Sequence, residues 1–145
     1  MKKNTMKTNH VIYYVDDSIE LLKAFSFFAE TYGCEVITYN DPFEFLDKAN
    51  AISHDKHILL VDLDFKLPNI NGMKVIEAIK EDNYAGFASV YLFTGQELNQ
   101  DILIGLRKFD SRRVAYLQKT NENFIYLLEK ILGPGSADED VGIKK

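Results

Sequence analysis

The sequence has few of the features that mark several large classes of protein. Cys34 is the single cysteine among 145 residues, so the chain cannot form an intramolecular disulfide, and a reducing, cytoplasmic location is favoured. The longest apolar runs, such as residues 58–61, are far shorter than the roughly 20 residues that cross a bilayer. The N-terminal residues are too polar for a secretory signal. We therefore expect no membrane insertion.

The chain also lacks an excess of positive charge. It carries 17 Lys and Arg residues against 22 Asp and Glu residues, which gives a net charge of −5. A general basic surface for phosphate backbones is missing, so nucleic acid is not an expected partner. With 46% hydrophobic residues in a chain of this length, we expect one packed globular domain.

Hydrophobic periodicity predicts five strands alternating with five helices. The predicted strands are 10–15, 35–39, 57–63, 88–93 and 114–117. Gly133, Pro134 and Gly135 should end the last helix. The predicted domain therefore covers residues 9–133, with flexible segments at 1–8 and 134–145 and no output domain. Such alternation requires an α/β fold, a doubly wound parallel sheet with helices on both faces.

Polar residues follow the predicted strands. Asp16 and Asp17 end the first strand, Asp64 ends the third, Thr94 ends the fourth, and Lys119 lies just past the fifth. Because ligands of doubly wound sheets bind beyond the carboxyl ends of the strands, we expect these five residues to converge on one edge.

That combination of residues points to phosphoryl chemistry. Clustered carboxylates repel one another and need a cation, and hard oxygen ligands select Mg²⁺, which completes its shell with water and phosphate oxygens. Thr94 can donate a hydrogen bond to a phosphoryl oxygen, and Lys119 supplies a positive charge. The carboxylate of Asp64 is ionised near neutral pH and needs no general base to act as a nucleophile.

The ordered set of motifs resembles the receiver domain of two-component response regulators. Its members are Asp16-Asp17 after a strand, Asp64 with Pro68 four residues on, Gly72 eight residues on, Thr94-Gly95, and Tyr116 three residues before Lys119. The resemblance implies a (βα)5 flavodoxin-like sheet with strand order 2-1-3-4-5. It also implies a cytoplasmic switch that receives a phosphoryl group from a sensor histidine kinase or a histidine phosphotransfer protein.

The resemblance further assigns roles at the metal and acceptor positions. It implies that Asp64 is the phosphoacceptor, that Asp17 is a direct Mg²⁺ ligand, and that Asp16 acts on the ion mainly through water. The backbone carbonyl of Lys66 would complete the protein ligands.

The remaining roles concern signalling. The resemblance implies that Thr94 and Lys119 bind the phosphoryl oxygens and that Tyr116 changes rotamer as Thr94 is drawn inward. The fourth helix, fifth strand and fifth helix would form the surface that contacts a downstream protein target. The domain would be a phosphoacceptor switch that catalyses only its own phosphotransfer and dephosphorylation, and not an enzyme.

Two alternative interpretations concern the roles of the aspartates. Asp62 shares a strand face with Asp64, so it could be the acceptor if the following loop were two residues longer; the four-residue distance to Pro68 favours Asp64. Asp16 and Asp17 could instead serve only to cap the first helix.

Two other functions remain open from the sequence. The segment VDLDF resembles the first motif of haloacid dehalogenase phosphatases, although the acidic pair lies upstream of it and Lys66 occupies a position where those enzymes need another residue. Alternatively, the chain is a binding module that keeps the receiver fold and works without phosphorylation.

Overall fold

A computed structural model describes residues 11–49 and 58–136, with side chains to residue 130. Strands and helices alternate along this part of the chain. The strands are β1 (Val11–Val15), β2 (Glu35–Tyr39), β3 (Ile58–Val61), β4 (Ser89–Thr94) and β5 (Val114–Gln118). The helices are α1 (Ile19–Glu30), α2 (Pro42–Ala49), α3 (Gly72–Lys80), α4 (Gln100–Leu106) and α5 (Asn121–Ser136), and a short 3₁₀ segment, Asn83–Gly86, precedes β4.

The five strands form one parallel sheet in the order β2-β1-β3-β4-β5. This is the predicted doubly wound α/β fold with the predicted strand order. Because the order reverses next to β1, the carboxyl ends of β1 and β3 lie at the point where ligands bind in such sheets. Val15 pairs with Val61 across these two strands, so the residues that follow them leave the sheet side by side.

Alternate side chains of the strands build two hydrophobic layers, one on each face of the sheet. On one face, Ile12 and Tyr14 of β1 pack with Phe25 of α1 and Leu127 of α5. On the other face, the other β1 side chains contribute to a larger cluster with α2, α3 and α4, which includes Tyr13, Val15, Phe45, Val75, Ile76 and Ile102. Both faces are covered, as the continuous apolar runs of the strands require.

Several element ends differ from the prediction. β4 spans Ser89–Thr94 instead of 88–93 and β5 ends at Gln118 instead of 117, whereas β3 and α5 differ by more than one residue. β3 ends at Val61, two residues before the predicted end at Leu63. The Asp62 N–H still donates to the Val15 carbonyl, but the pairing of β3 with β1 and β4 ends at Val61. α5 continues to Ser136, past Gly133 and Pro134, where a stop was expected. A proline in the last turns removes only one N–H donor from a helix that is already formed, so it need not end the helix at once.

Several predictions fall on residues that are not described. They are the predicted flexible segment 1–8, residues 137–145 of the tail predicted at 134–145, the strand starts at His10 and His57, and the polar loop 50–56. Within the described ranges no helix is long and apolar enough to span a membrane.

Candidate functional site

The carboxyl edge of the sheet gathers three aspartates into an acidic cluster: Asp16, Asp17 and Asp62. One carboxylate oxygen of each lies within 4.8 Å of the others. Asp16 and Asp62 follow the paired residues Val15 and Val61, and the Asp62 N–H donates to the Val15 carbonyl at 2.9 Å. The register of β1 with β3 therefore places Asp62, rather than a later residue, beside the acidic pair.

Asp16 is almost completely buried and is held by several donors. Its Oδ2 accepts hydrogen bonds from the Tyr14 hydroxyl and from Lys119 Nζ, both at 2.8 Å, and its Oδ1 accepts from the Ser18 N–H at 2.9 Å. Ser18 is the residue that caps α1, since its Oγ accepts from the Leu21 N–H. The capping interpretation of the two aspartates is therefore wrong.

Lys119 joins two of the carboxylates. Its Nζ lies 2.8 Å from Asp16 Oδ2 and 3.0 Å from Asp62 Oδ1, and only 12% of its side chain is exposed. The Lys119 N–H donates to the Thr94 carbonyl at 2.7 Å, which fixes the start of the loop after β5 against β4. Burial by itself lowers the pKa of Lys119, but the hydrogen bonds and charges of Asp16 and Asp62 outweigh it and hold the pKa above its ordinary value. The side chain of Lys119 is therefore protonated and positively charged in the site.

Asp62 is the carboxylate whose environment is least favourable to charge. Burial and the neighbouring charge of Asp16 raise its pKa to about 6, although Lys119 acts in the opposite direction. One ammonium faces three carboxylates, so the cluster holds more negative charge than its own cation balances. Oxygen ligands with unbalanced charge are the donor set that Mg²⁺ prefers.

The loop after β3 contacts Asp17 with a donor. The backbone N–H of Lys66 donates to Asp17 Oδ2 at 2.7 Å. The resemblance implies that the backbone carbonyl of Lys66 is a metal ligand. The contact that the structure shows between Lys66 and Asp17 is made by the N–H instead. The Lys119–Thr120 peptide, like all others in the described ranges, is trans.

Asp64, the expected acceptor, lies at the same edge but outside the acidic cluster. It is exposed, and its Oδ2 accepts a hydrogen bond from Gln96 Nε2 at 2.6 Å. Asp62 is the first residue after β3, which ends at Val61. Pro68 lies six residues after Asp62, two more than the four-residue distance that favoured Asp64. Asp62, and not Asp64 as expected, is therefore the residue that the structure groups with Asp16 and Asp17.

Thr94 and Tyr116 lie on neighbouring strands and both contact one residue, Gln96. Thr94 is buried at the end of β4, and its Oγ1 accepts from the Gln96 N–H at 3.2 Å. The Tyr116 hydroxyl donates to the Gln96 carbonyl at 2.6 Å. The structure thus groups Asp16 and Asp17 with Asp62 and Lys119, whereas Thr94, Tyr116 and Asp64 each form a hydrogen bond with Gln96. Asp62, Tyr14 and Gln96 are the site residues that the sequence did not predict.

Known structures share this fold, although no protein-family model matches the sequence and no curated protein is significantly similar to it. The chemotaxis protein CheY4 of Vibrio cholerae is 22% identical, and the match covers 84% of this chain and 98% of that chain with a TM-score of 0.67. The Francisella response regulator 1452 receiver domain is 17% identical, with 86% and 97% covered and a TM-score of 0.67. A CheY-like receiver domain protein of Methanospirillum hungatei is 22% identical, with 85% and 91% covered and a TM-score of 0.63.

These matches define the class of fold. The chain is an α/β protein with the CheY-like receiver fold, as the motif resemblance predicted. Its acidic cluster lies at the carboxyl ends of β1 and β3, with Thr94 at the end of β4 and Lys119 after β5.

Proposed function

We propose that this protein is a phosphorylation-dependent signalling switch, with Asp62 as the phosphoacceptor in place of Asp64. The observation that supports this most is the position of Asp62, whose Oδ1 lies 3.0 Å from Lys119 Nζ within the acidic cluster. A phosphoryl group on Asp62 would meet an ammonium group at once. On Asp64 it would meet the side chain of Gln96, outside the cluster.

The chemistry needs a nucleophile and charge neutralisation, but no general base. A carboxylate oxygen of Asp62 attacks the phosphorus, the bond from phosphorus to the donor atom breaks, and the leaving group departs with that bond's electron pair. With a pKa of about 6, Asp62 is mostly ionised above neutral pH and carries the lone pair that the attack requires. Lys119 balances charge on the transferred group, and Thr94 can donate its hydroxyl hydrogen to it. In dephosphorylation, water attacks the phosphorus and the Asp62 carboxylate leaves. The protein would therefore catalyse only its own phosphotransfer and dephosphorylation.

Mg²⁺ is the cofactor that this donor set fits. Asp16, Asp17 and Asp62 would hold it, because their carboxylate oxygens lie within 4.8 Å of one another and exceed the charge of Lys119. The bound ion would supply charge neutralisation for the phosphoryl oxygens. Tyr14 and Ser18 keep the Asp16 carboxylate in place by donating to its two oxygens.

The output would be a change on the face formed by α4, β5 and α5. Thr94 and Tyr116 connect the site to this face, and Leu103, Ile104 and Tyr126 expose about half of their surface on its helices. Exposed apolar residues are suited to protein contacts. We infer that a sensor histidine kinase or a phosphotransfer protein in the cytoplasm supplies the phosphoryl group and that a protein target reads this face.

The decisive test is incubation of the full chain with Mg²⁺ and acetyl phosphate, followed by intact-mass measurement. We expect one phosphoryl adduct that hydroxylamine removes, because an acyl phosphate is a reactive anhydride. The adduct should be absent in Asp62→Asn and present in Asp64→Asn. Circular dichroism of both variants establishes that each is folded.

Other outcomes select the other functions. Loss of the adduct in Asp64→Asn, with retention in Asp62→Asn, would return the acceptor to the position predicted from the sequence. No adduct on the natural chain would indicate a binding module that works without phosphorylation. Steady turnover of p-nitrophenyl phosphate, lost in Asp62→Asn, would instead indicate a phosphatase.

A further inference from the structure

Gln96 touches three parts of the site at once. Its side-chain amide donates to Asp64 Oδ2 at 2.6 Å, its backbone N–H donates to Thr94 Oγ1 at 3.2 Å, and its backbone carbonyl accepts from the Tyr116 hydroxyl at 2.6 Å. Asp64 lies in the loop after β3, Thr94 on β4 and Tyr116 on β5. One residue therefore links the loop beside the acceptor to both residues expected to carry the signal.

The hydrogen bond to Asp64 is the contact that best fixes the position of the Gln96 side chain. It joins a charged acceptor to a neutral donor, and such hydrogen bonds are shorter and stronger than neutral ones. The other contact of the Gln96 side chain, from Asn99 Nδ2 to Oε1, is long at 3.4 Å. The preceding residue, Gly95, is exposed and a Cβ there would meet no atom within 4 Å, so close packing does not hold this stretch of backbone.

We propose that Gln96 is a positioning residue of the switch: its hydrogen bond to Asp64 keeps the Gln96 carbonyl within reach of the Tyr116 hydroxyl. The same placement makes Thr94 Oγ1 an acceptor of the Gln96 N–H, so that the hydroxyl's own hydrogen can be donated toward Asp62. The inference rests on the proposed function, because it gives the Asp64–Gln96 pair, which we call the latch, a role beside an acceptor at Asp62.

The latch predicts a specific pattern among variants. Gln96→Ala and Asp64→Ala each remove the side-chain bond but leave the Gln96 backbone carbonyl in the chain. Both should lower the ratio of bound to released Tyr116 hydroxyl by about tenfold, the loss of one charge-assisted hydrogen bond. The double variant should be no worse than either single one. Asp64→Asn keeps a carbonyl oxygen that can accept from Gln96, so it should largely restore the ratio.

The measurement is ¹⁹F NMR of the metal-free full chain labelled with 3-fluorotyrosine, at a pH where the phenols are protonated. The chain has eight tyrosines, and Tyr116→Phe identifies the signal of Tyr116 by its loss. Gln118→Ala is the matched control, because it removes a side-chain amide that donates to the neighbouring carbonyl of Gly95 at 3.3 Å without touching Gln96.

We expect the Tyr116 signal to shift or broaden in Gln96→Ala and Asp64→Ala and to stay near its original position in Gln118→Ala and Asp64→Asn. An unchanged signal in Gln96→Ala, or independent and additive effects of the two alanine variants, would overturn the proposal. The readout needs no phosphoryl group. Failure of the latch is thus distinct from failure of the acceptor assignment, which the mass measurement detects.

Discussion

The two edges of the sheet differ in how their charged side chains are balanced by partners. At the carboxyl edge, Lys119 faces the acidic cluster of Asp16, Asp17 and Asp62, so negative charge exceeds positive charge in a largely buried place. At the amino edge, the hydrogen-bond acceptors of the Arg113 guanidinium are neutral oxygens. It donates to the Phe87 carbonyl and to Asn83, and it lies over the Tyr84 ring at 5.3 Å.

The hydrogen bonds of Arg113 stabilise an unfavourable backbone conformation at the amino edge. Asn83, Tyr84 and Ala85 have φ values of 54°, 56° and 52°, a left-handed conformation that costs roughly 1–2 kcal/mol for each such residue. Tyr84 is nevertheless buried, and its hydroxyl accepts from the Asp110 N–H at 3.0 Å. Strain at this edge is offset locally by matched polar contacts and by burial.

The comparison separates stability from reactivity. Matched donors and acceptors at the amino edge lower the energy of the folded chain and leave no group in need of a ligand. The unmatched carboxylates at the carboxyl edge cost folding free energy and can recover it only from a cation or from protonation. The edge that is less favourable for folding is therefore the one suited to binding.

The largest effect that would sharpen this comparison is expected from Arg113→Ala. The variant leaves the carbonyls of Phe87 and Asn83 without their donor while the left-handed turn still has to form, so the free energy of unfolding should fall by about 3 kcal/mol. Urea unfolding measures it. Arg112→Ala is the control, since that side chain is 89% exposed and should change stability by less than about 0.5 kcal/mol. Equal losses in both variants would contradict a special role for the amino edge.

Gly72→Ala should have the next largest effect, this time at the carboxyl edge. A Cβ on Gly72 would meet the Asp62 carbonyl oxygen and come within 3.0 Å of Leu63 Cα, so backbone would have to move. We expect a loss of about 2 kcal/mol in the free energy of unfolding. Thermal or urea unfolding against Gly95→Ala, where a Cβ meets no atom within 4 Å, separates crowding from the general effect of replacing glycine. Identical behaviour of the two variants would show that the close approach is unimportant.

An effect of opposite sign, a gain in stability, should come from Asp62→Asn. The folded-state pKa of Asp62 is about 6, above its ordinary value of 3.8, so the folded chain binds this proton more tightly than the unfolded chain. Ionised Asp62 therefore destabilises the fold in full above about pH 6, and the penalty disappears as the pH falls toward 4. Without metal at pH 8, the variant should be more stable than the natural chain by up to about 3 kcal/mol.

The check is urea unfolding with a chelator at pH 8 and at pH 4. The two proteins should differ at pH 8 and converge at pH 4, and added Mg²⁺ should stabilise the natural chain more than the variant. Asp64→Asn is the matched control, because Asp64 is exposed and lies outside the acidic cluster, so this variant should not show the gain in stability expected for Asp62→Asn at pH 8. A difference that is the same at pH 4 and pH 8 would remove the electrostatic explanation.

Much of this fold follows from local patterns. The apolar runs of the strands, the stripes of the helices and the cap positions are set by neighbours in the chain, which is why β2 was predicted at residues 35–39 and lies there. The left-handed turn at 83–86 was not predicted, because it depends on Arg113, which is distant in sequence.

The sequence by itself determined which residue types stand at the strand ends: aspartates, a threonine and a lysine placed where parallel strands finish. Only the tertiary structure showed that Asp62, and not Asp64, joins Asp16 and Asp17 in the acidic cluster. Asp62 and Asp64 share a strand face in the sequence pattern, and the spacing to Pro68 favoured the later one. The register that pairs Val15 with Val61 places Asp62 beside Asp16, where it contacts Lys119. A hydrogen-bonded register involves two strands at once, so no single stretch of sequence could fix it.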